Sequence, residues 1–586
     1  MATSVLGINA FHGDASAAIL IDGELVGAVE EERFNRIKHW AGFPSESIRY
    51  CLREAGIDPR QLDRVAISFD PKANWSRRVG YVLKNRPSFS SVRDSLRRSR
   101  KAEGFRSLLA TTLEIPESEL VSPIHRVEHH LTHLAYAFLG SPWEEAALLS
   151  IDGMGDFVST MSAAGSDRNW EVLDRVFYPH SLGYLYNAVT LFLGFPHYGD
   201  EYKVMGLAPY GEPEFVELFR EIVFPTDKGF ELNLNYFNHP KEGIEMQWKD
   251  GEPTVSPFHS KLLEEKLGKP RRPGEACAPH HENIARSLQA VTEEIVLHLC
   301  RQLHEKTSLP RLCLAGGVAM NSVVNGKIVR ETPFEQLFVP AGASDSGTAI
   351  GAALHVWHHV LDSPRLWMQK HAYMGSAISD EECAKAATSE GDLGESVETL
   401  DRELLLDRVV EAIIEGKVVG WYQGRMEFGA RALGNRSLLA DPRRVDMRDI
   451  INLKIKFREK FRPFAPSILE EHVEDWFDSV ESSPFMERVL PIRSEKRGEI
   501  PAVAHVDGTG RLHTVTVESN PLYHALISRF HEATGVPILL NTSLNENEPI
   551  VRTPQEALAC FRRTEMDMLV LGATIVSRRP EPSASR

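Results

Sequence analysis

A mainly apolar run from Val5 to Ala10 is followed by a second from Ala15 to Ile21. Asp22-Gly23 separates that one from a third, Glu24 to Glu30. Short runs bounded by turn residues predict strands, and Asp-Gly is hairpin chemistry. The pattern recurs at Ala147 to Asp152, which leads through the glycine-rich turn Asp152 to Asp156 into Phe157 to Ala164, a polar turn at Gly165 to Asn169 and a third strand near Glu171. Two strand-turn-strand units, each with Asp or Asn at a ligand-facing turn, predict a duplicated α/β domain clasping a ligand between its halves. Leu312 to Ala315 then reads as a strand, Gly316-Gly317 as a turn and Val318 to Val324 as the opening of a helix. Leu337 to Pro340, the small-residue loop Ala341 to Gly347 with Asp345, and Ala349 to Val360 repeat strand, loop and helix. Glycines feeding a helix N-terminus suit a phosphate or an adenosine, or make a plain turn.

From Ser363 to about Asp401 the periodicity loosens, and Leu404 to Glu415 resumes as an amphipathic helix, which puts a domain boundary near 370 and divides the chain into 1–370 and 371–586. In the second part Lys454, Lys456, Arg458, Lys460 and Arg462 alternate with Ile455, Phe457, Glu459 and Phe461, a period-2 pattern that predicts one basic strand face. Val536 to Leu540 is β-rich and ends in Asn541-Thr-Ser-Leu-Asn545, where a strand should stop and a ligand begin. Gly199 to Gly211, with Lys203 at its centre, reads as a substrate-facing loop or a connector. Lys72 to Arg106 carries eleven Lys or Arg and predicts a helical, surface-borne insertion, and Ser577 to Arg586 a polar tail.

At 586 residues the chain exceeds what one core supports. Its net charge of -16 argues against a general nucleic-acid or membrane-surface binder. Six cysteines without a C-x-x-C pair signal neither a disulfide framework nor a thiolate zinc site. With no basic leader and no apolar run of spanning length, a cytoplasmic location is expected. Against this acidic background Gln423 to Arg462 holds eleven Lys or Arg and five Asp or Glu. Gly424 to Ser437 alone contains three arginines and three glycines, with Glu427 its only acid. Guanidinium forks match phosphate and carboxylate, and glycines let backbone N–H groups reach them, so this loop predicts an oxyanion site.

His129-His-Leu-Thr-His133 lies in a run, Val127 to Phe138, that suits a helix, so His129 and His133 share a face at metal-ligand spacing. His130 stands where the zinc-protease pattern needs Glu, which weakens a metalloprotease reading. Asp152 and Asp345 are carboxylates at turns that would complete the set, which suits iron(II), manganese or zinc. The alternative is that both histidines line a helix interface and both aspartates make turns. His12, in His12-Gly-Asp14, either takes a proton from an alcohol or is structural. Lys38 and His39, after Glu30-Glu-Glu32, are further candidate phosphate or substrate contacts.

Together these segments resemble the O-carbamoyltransferase family that includes nodulation protein U and the cephalosporin and aminoglycoside antibiotic carbamoyltransferases. The resemblance runs nearly end to end. It is carried by His12-Gly-Asp-Ala-Ser-Ala17, Glu30-Glu-Glu-Arg-Phe34, His129 to His133, Lys203-Val-Met-Gly206, Gly316-Gly-Val-Ala-Met-Asn321, Gly424 to Ser437, Arg462-Pro-Phe-Ala-Pro466 and Asn541-Thr-Ser543. It implies a large actin-like ATPase domain, similar to the tRNA threonylcarbamoyl transferase, followed by a smaller α/β domain that forms carbamoyl adenylate from ATP and carbamoyl phosphate. In that domain Arg431, Lys456, Arg462, Asn541 and Ser543 would hold carbamoyl phosphate, with Arg511 near the nucleotide phosphates. In the first domain iron(II), or another divalent transition metal, would sit on His129, His133, Asp152 and Asp345. There Gly316, Gly317, Asn321 and Lys203 would serve the nucleotide, Lys38 the substrate, and His12 would be the base. Magnesium would accompany ATP, the acceptor would be a hydroxyl-bearing small molecule such as an antibiotic or sugar, and a homodimer is compatible. No nucleic-acid or membrane partner is expected. Two rivals share the architecture: a tRNA threonylcarbamoylating enzyme with Lys72 to Arg106 as an RNA clamp, opposed by the acidic remainder of the chain, and a non-catalytic nucleotide-sensing regulator.

Overall fold

The three N-terminal runs pair as the Asp22-Gly23 turn requires: β1 (Ser4–Asn9) lies antiparallel to β2 (Ser16–Ile21), with Ser4 opposite Ile21, and β2 to β3 (Glu24–Glu30). Two parallel strands, β4 (Arg64–Ile67) and β5 (Ile124–Arg126), extend the sheet to the order β3-β2-β1-β4-β5. This computed structural model describes residues 2–85, 104–244, 246–249, 252–389 and 395–579. A second sheet repeats the plan. Strands β6 (Glu145–Gly155), β7 (Val158–Ser166) and β8 (Asn169–Phe177) form the antiparallel meander. After two hairpins, β9 (Val223–Thr226) with β10 (Gly229–Leu232) and β11 (Met246–Lys249) with β12 (Glu252–Val255), the parallel strands β13 (Arg311–Ala315) and β14 (Gln336–Phe338) complete the order β14-β13-β6-β7-β8. Two sheets of one topology in one unit make the duplicated arrangement of the actin-like class.

These sheets belong to one compact unit, Met1–Gln369; the other is Lys370–Arg586. In the first, the helices His129–Leu139 and Thr348–His355 pack on each other and on the strands between them, both almost wholly buried. The approach is close enough that a Cβ on Gly351 would sit 1.8 Å from the Thr132 carbonyl oxygen, so only glycine fits there. The predicted helix after Gly316-Gly317 starts later, at Ser322–Glu331, once the Asn321 side chain accepts the Val324 N–H at 3.2 Å. Gly199 to Gly211 is not an open loop: Glu201–Leu207 is a helix, and Lys203 pairs with Asp200 at 2.8 Å. Of the predicted basic insertion, Trp75–Asn85 is helical, while 86–103 lie outside the described residues, as do 580–586 of the tail.

The second unit is a nine-stranded mixed sheet built from β15 (Glu395–Thr399), β16 (Val419–Tyr422), β17 (Arg436–Ala440), β18 (Ala465–Leu469), β19 (Arg488–Pro491), β20 (Thr509–Val515), β21 (Ile538–Ser543), β22 (Met568–Leu571) and β23 (Thr574–Arg578). Their order is β15-β23-β22-β16-β17-β21-β18-β20-β19, which puts the apolar runs of β16, β17, β21 and β22 in its middle. One expectation fails here. Lys454 to Arg462 is not a basic strand: Asn452–Lys456 continues the Met447–Ile451 helix as a π turn, and Phe457 takes a left-handed φ of 44° that ends it. Ile451 and Ile455, one helical turn apart, are both fully buried, so the core selects the helical period over the alternation of charge. Among the described residues no helix is long and apolar enough to cross a membrane.

Candidate functional site

The His129–Leu139 helix starts against the β6–β7 turn, with the His129 backbone N–H donating to Asp156 Oδ2 at 3.0 Å. Its first turn brings His129 Nε2 within 3.1 Å of His133 Nε2. Asp152 Oδ2, from β6, lies 3.5 Å from His129 Nε2, and Asp345 Oδ1 lies 3.4 and 3.5 Å from the two imidazole nitrogens. All four side chains are buried, and their ligand atoms fall within 4.8 Å of one another. Asp345 Oδ1 has no hydrogen-bond partner among the described residues. Two facing imidazole nitrogens and two carboxylates, one with an orphaned buried oxygen, are a donor set that fits a divalent transition metal. Burial opposes charge on His129, but Asp345 and Asp152 outweigh it and raise its proton affinity well above the usual histidine range. Burial likewise opposes charge on Asp345, and His129 and His133 hold its carboxyl far below the usual range.

Neighbouring residues fix this geometry. The Gly317 N–H donates to Asp152 Oδ1 at 2.7 Å, leaving Oδ2 toward the histidines. His130 points away, bridging Ser150 Oγ at 2.7 Å and the Val158 carbonyl at 2.9 Å; burial and then the two flanking imidazoles push its pKa down to about 3, so it is a neutral structural residue. His12 stacks on His129 with ring centroids 5.1 Å apart. Lys38 lies close enough to Glu32 and His39 to influence both. Of the residues expected to serve a nucleotide, Gly317 holds the Asp152 carboxylate, and Asn321 caps its helix and donates to Gln289 Oε1 at 2.9 Å. Gly316 packs against the Ile151 carbonyl with φ 95°, and Lys203 is engaged with Asp200.

In the second unit the glycine–arginine loop is organised by its one acid. Glu427 Oε1 accepts the backbone N–H groups of Leu433 and Asn435 at 2.8 Å and of Arg436 at 3.2 Å. Arg436 is wholly buried, bonds the Gln423, Gly424 and Asn435 carbonyls and lies 3.7 Å from the Tyr422 ring centroid, so it is part of the scaffold. Arg431 instead lies near Arg511 of β20, and Arg458 and Arg462 crowd the same place. Burial first, then these three guanidinium groups, pull the Arg511 proton affinity well below its ordinary value. Arg511 Nε is buried with no hydrogen-bond partner among the described residues. Guanidinium groups brought together in this way suit a polyanion.

Lys456 is buried and spoken for: Nζ donates to the Ser543 carbonyl at 2.5 Å, the Asn545 carbonyl at 2.8 Å and Asn545 Oδ1 at 2.6 Å. Asn541 ties the arginine loop to β18 by donating to the Ala432 carbonyl at 3.1 Å and Ser467 Oγ at 3.0 Å, and Ser543 Oγ donates to Asn545 Oδ1 at 2.8 Å. Two residues to which the sequence assigned no role matter here: Glu427, noted only as the lone acid in a basic loop, and Arg458, noted only as one of an alternating set.

Two family models cover most of the chain. Carbamoyltransferase N-terminus matches residues 4–354 and Carbamoyltransferase C-terminus residues 410–578. The chain belongs to the carbamoyltransferase family. This carbamoyltransferase is 39% identical to the uncharacterized protein sll1178 of Synechocystis sp., over 99% of this chain and 97% of that one. It is 38% identical to nodulation protein NolNO of Sinorhizobium fredii, over 97% and 80%, and 27% identical to nodulation protein U of Rhizobium tropici, over 92% and 90%. Among solved structures it is similar to full-length HypF in a phosphate- and nucleotide-bound form, at 12% identity and a TM-score of 0.30, over 60% of this chain and 46% of that one, a likeness too slight to add to the fold described above.

Proposed function

We propose that this carbamoyltransferase moves a carbamoyl group from carbamoyl phosphate, through an ATP-derived carbamoyl adenylate, to a hydroxyl of a small-molecule acceptor such as an antibiotic or sugar. The arginine cluster carries the reading. Four mutually repelling guanidinium groups around a buried, unbonded Nε have a physical reason to converge if a dense anion holds them together, and carbamoyl phosphate beside ATP supplies one. In the first step water accepts the phosphoryl group of carbamoyl phosphate, whose P–O bond breaks to give inorganic phosphate and carbamate; a carbamate oxygen then attacks the α-phosphorus of magnesium-bound ATP, and the bond to pyrophosphate breaks. Arg431, Arg458, Arg462 and Arg511 hold the phosphates, while Lys456 and Asn541 keep the loop and strand end that present them. In the second step the acceptor oxygen bonds to the carbonyl carbon, the bond from that carbon to the AMP oxygen breaks, and the hydroxyl proton passes to His12.

His129, His133, Asp152 and Asp345 would hold the divalent metal, iron(II) by the family resemblance, which when bound polarises an acyl or phosphoryl oxygen and offsets charge on departing AMP. His12, stacked on His129, stands beside that centre. Pyrophosphate release from ATP, measured with and without carbamoyl phosphate and with no acceptor, tests the first step. Release that needs carbamoyl phosphate and collapses in Arg431→Ala is expected; a folded, ATP-binding protein that releases none would overturn the reading.

A further inference from the structure

We propose that the Asp14–His39 pair is a clasp that positions His12 for proton transfer, an inference that rests on the function proposed above. His12 occupies a turn with left-handed backbone at non-glycine residues on either side, Phe11 at φ 67° and Asp14 at φ 55°, and the segment facing it is left-handed at His39, φ 53°. Three such residues in one small region are unfavourable and persist where surrounding contacts over-determine them. The contacts are present. The Phe11 N–H donates to the Gly42 carbonyl at 3.1 Å and the Ala15 N–H to the Trp40 carbonyl at 2.7 Å, which staples the turn to the segment at both ends. Asn9 Nδ2 donates to the Gly13 and Asp14 carbonyls at 3.1 Å from within.

Between the staples, His39 Nδ1 meets Asp14 Oδ1 at 2.7 Å, while the His39 backbone N–H donates to Glu32 Oε2 at 2.8 Å. The second oxygen of Asp14 accepts Ser344 Oγ at 3.2 Å, which ties the turn to the loop that carries Asp345. Tyr198 closes the remaining side: its ring meets His39 edge-on at 5.6 Å, and a Cβ on Gly13 would lie 2.6 Å from its hydroxyl. Burial disfavours a charged His39, but the Asp14 carboxylate and then Glu32 prevail against it and against Lys38, pushing the imidazole up to about 9. His39 is therefore an imidazolium at neutral pH, bonded to a carboxylate that sits two residues from His12. Among the described residues, the hydrogen bonds and ion pair of His39 go to Asp14 and Glu32 and not to the donor atoms of the metal set. Its role is to hold the turn on which His12 stacks over His129.

Hydrogen exchange read by mass spectrometry on the full chain tests the clasp without any acceptor. In His39→Gln and Asp14→Asn, amides within residues 9–15 are expected to exchange about tenfold faster or more, with peptides of the second unit unchanged as evidence that the chain is folded. His39→Lys, which keeps a cation facing Asp14, is expected to restore most of the protection. With glycerol varied as probe acceptor, kcat for carbamoylation should fall about tenfold in the first two variants while KM for glycerol stays, the pattern of a misplaced base. Wild-type exchange rates over residues 9–15 in both variants would overturn the clasp, and faster exchange with unchanged kcat would overturn its role in positioning. Wild-type pyrophosphate release in the same buffer reports separately on the proposed function: its absence defeats that reading and leaves the exchange result to decide the clasp.

Discussion

Gly155→Ala places a single methyl group against the metal set. Gly155 ends β6, and its φ is one that any residue adopts, so the backbone has no objection to alanine. Space does. The new Cβ would lie 2.0 Å from His129 Cδ2, 2.1 Å from Cγ and 2.5 Å from Cβ, where ordinary contact is about 3.5 Å or more. Ring rotation alone cannot relieve the clash, because the His129 Cβ itself is overlapped. The imidazole must therefore move by roughly an ångström or more, beyond the about 0.5 Å tolerance of a ligand constellation. Its Nε2 sits 3.1 to 3.5 Å from the other three donors, so that displacement takes it out of the set. Affinity for a divalent metal should fall by about a hundredfold or more, the upper range for disturbing a supporting residue, because here a ligand itself is displaced. Equilibrium dialysis against Co(II) or Zn(II) with elemental analysis measures this, with Gly498→Ala as control, since a Cβ there meets nothing within 4 Å. Unchanged affinity and stoichiometry in a folded Gly155→Ala protein would refute the assignment of His129 as a ligand.

Glu427→Ala leaves three buried N–H groups without their acceptor and should destabilise the second unit by about 3 kcal/mol, with Glu427→Gln, which keeps an oxygen, losing less; thermal unfolding of the two variants checks both. Lys456→Met strands the Ser543 and Asn545 oxygens and should lower the unfolding temperature of that unit by roughly 6–12 °C, a structural effect that a surface phosphate-binding lysine would not show. Because folding raises the His39 pKa from 6.5 to about 9, its pairing with Asp14 and Glu32, against the nearby Lys38, stabilises fully below pH 6.5 and is lost as pH rises through about 9. The stability gap between wild type and His39→Gln should close over that window; a gap that is constant with pH would show that His39 is not protonated by the fold.

Local pattern carried much of the first unit. Asp22-Gly23 fixes a hairpin by its own backbone preferences, and His129 and His133 reveal their shared face through helical spacing. The second meander repeats the first closely enough for the duplication to be read. Where the reading failed, two patterns competed: the alternating charges of Lys454 to Arg462 suggested a strand, and the Ile451–Ile455 burial that decided for a helix depends on partners remote in sequence. Similarly, the charge of Lys456 is visible in the sequence, but its acceptors at Ser543 and Asn545 are long-range and were not. Asp14 and His39 are 25 residues apart, and only the packing of the His12 turn on the Trp40 segment brings them to 2.7 Å. Arg458 joins the arginine cluster because the left-handed Phe457 redirects the chain, which no charge pattern encodes.

Isotope exchange tests the central claim most directly, because only a reversible adenylate returns pyrophosphate to the nucleotide. With labelled pyrophosphate, ATP and no acceptor, label should enter ATP when carbamoyl phosphate is present, stay out when it is absent, and stay out in Arg431→Ala. If wild-type protein binds ATP and carbamoyl phosphate yet transfers no label, carbamoyl adenylate is not its intermediate and the arginine cluster does not serve adenylate formation.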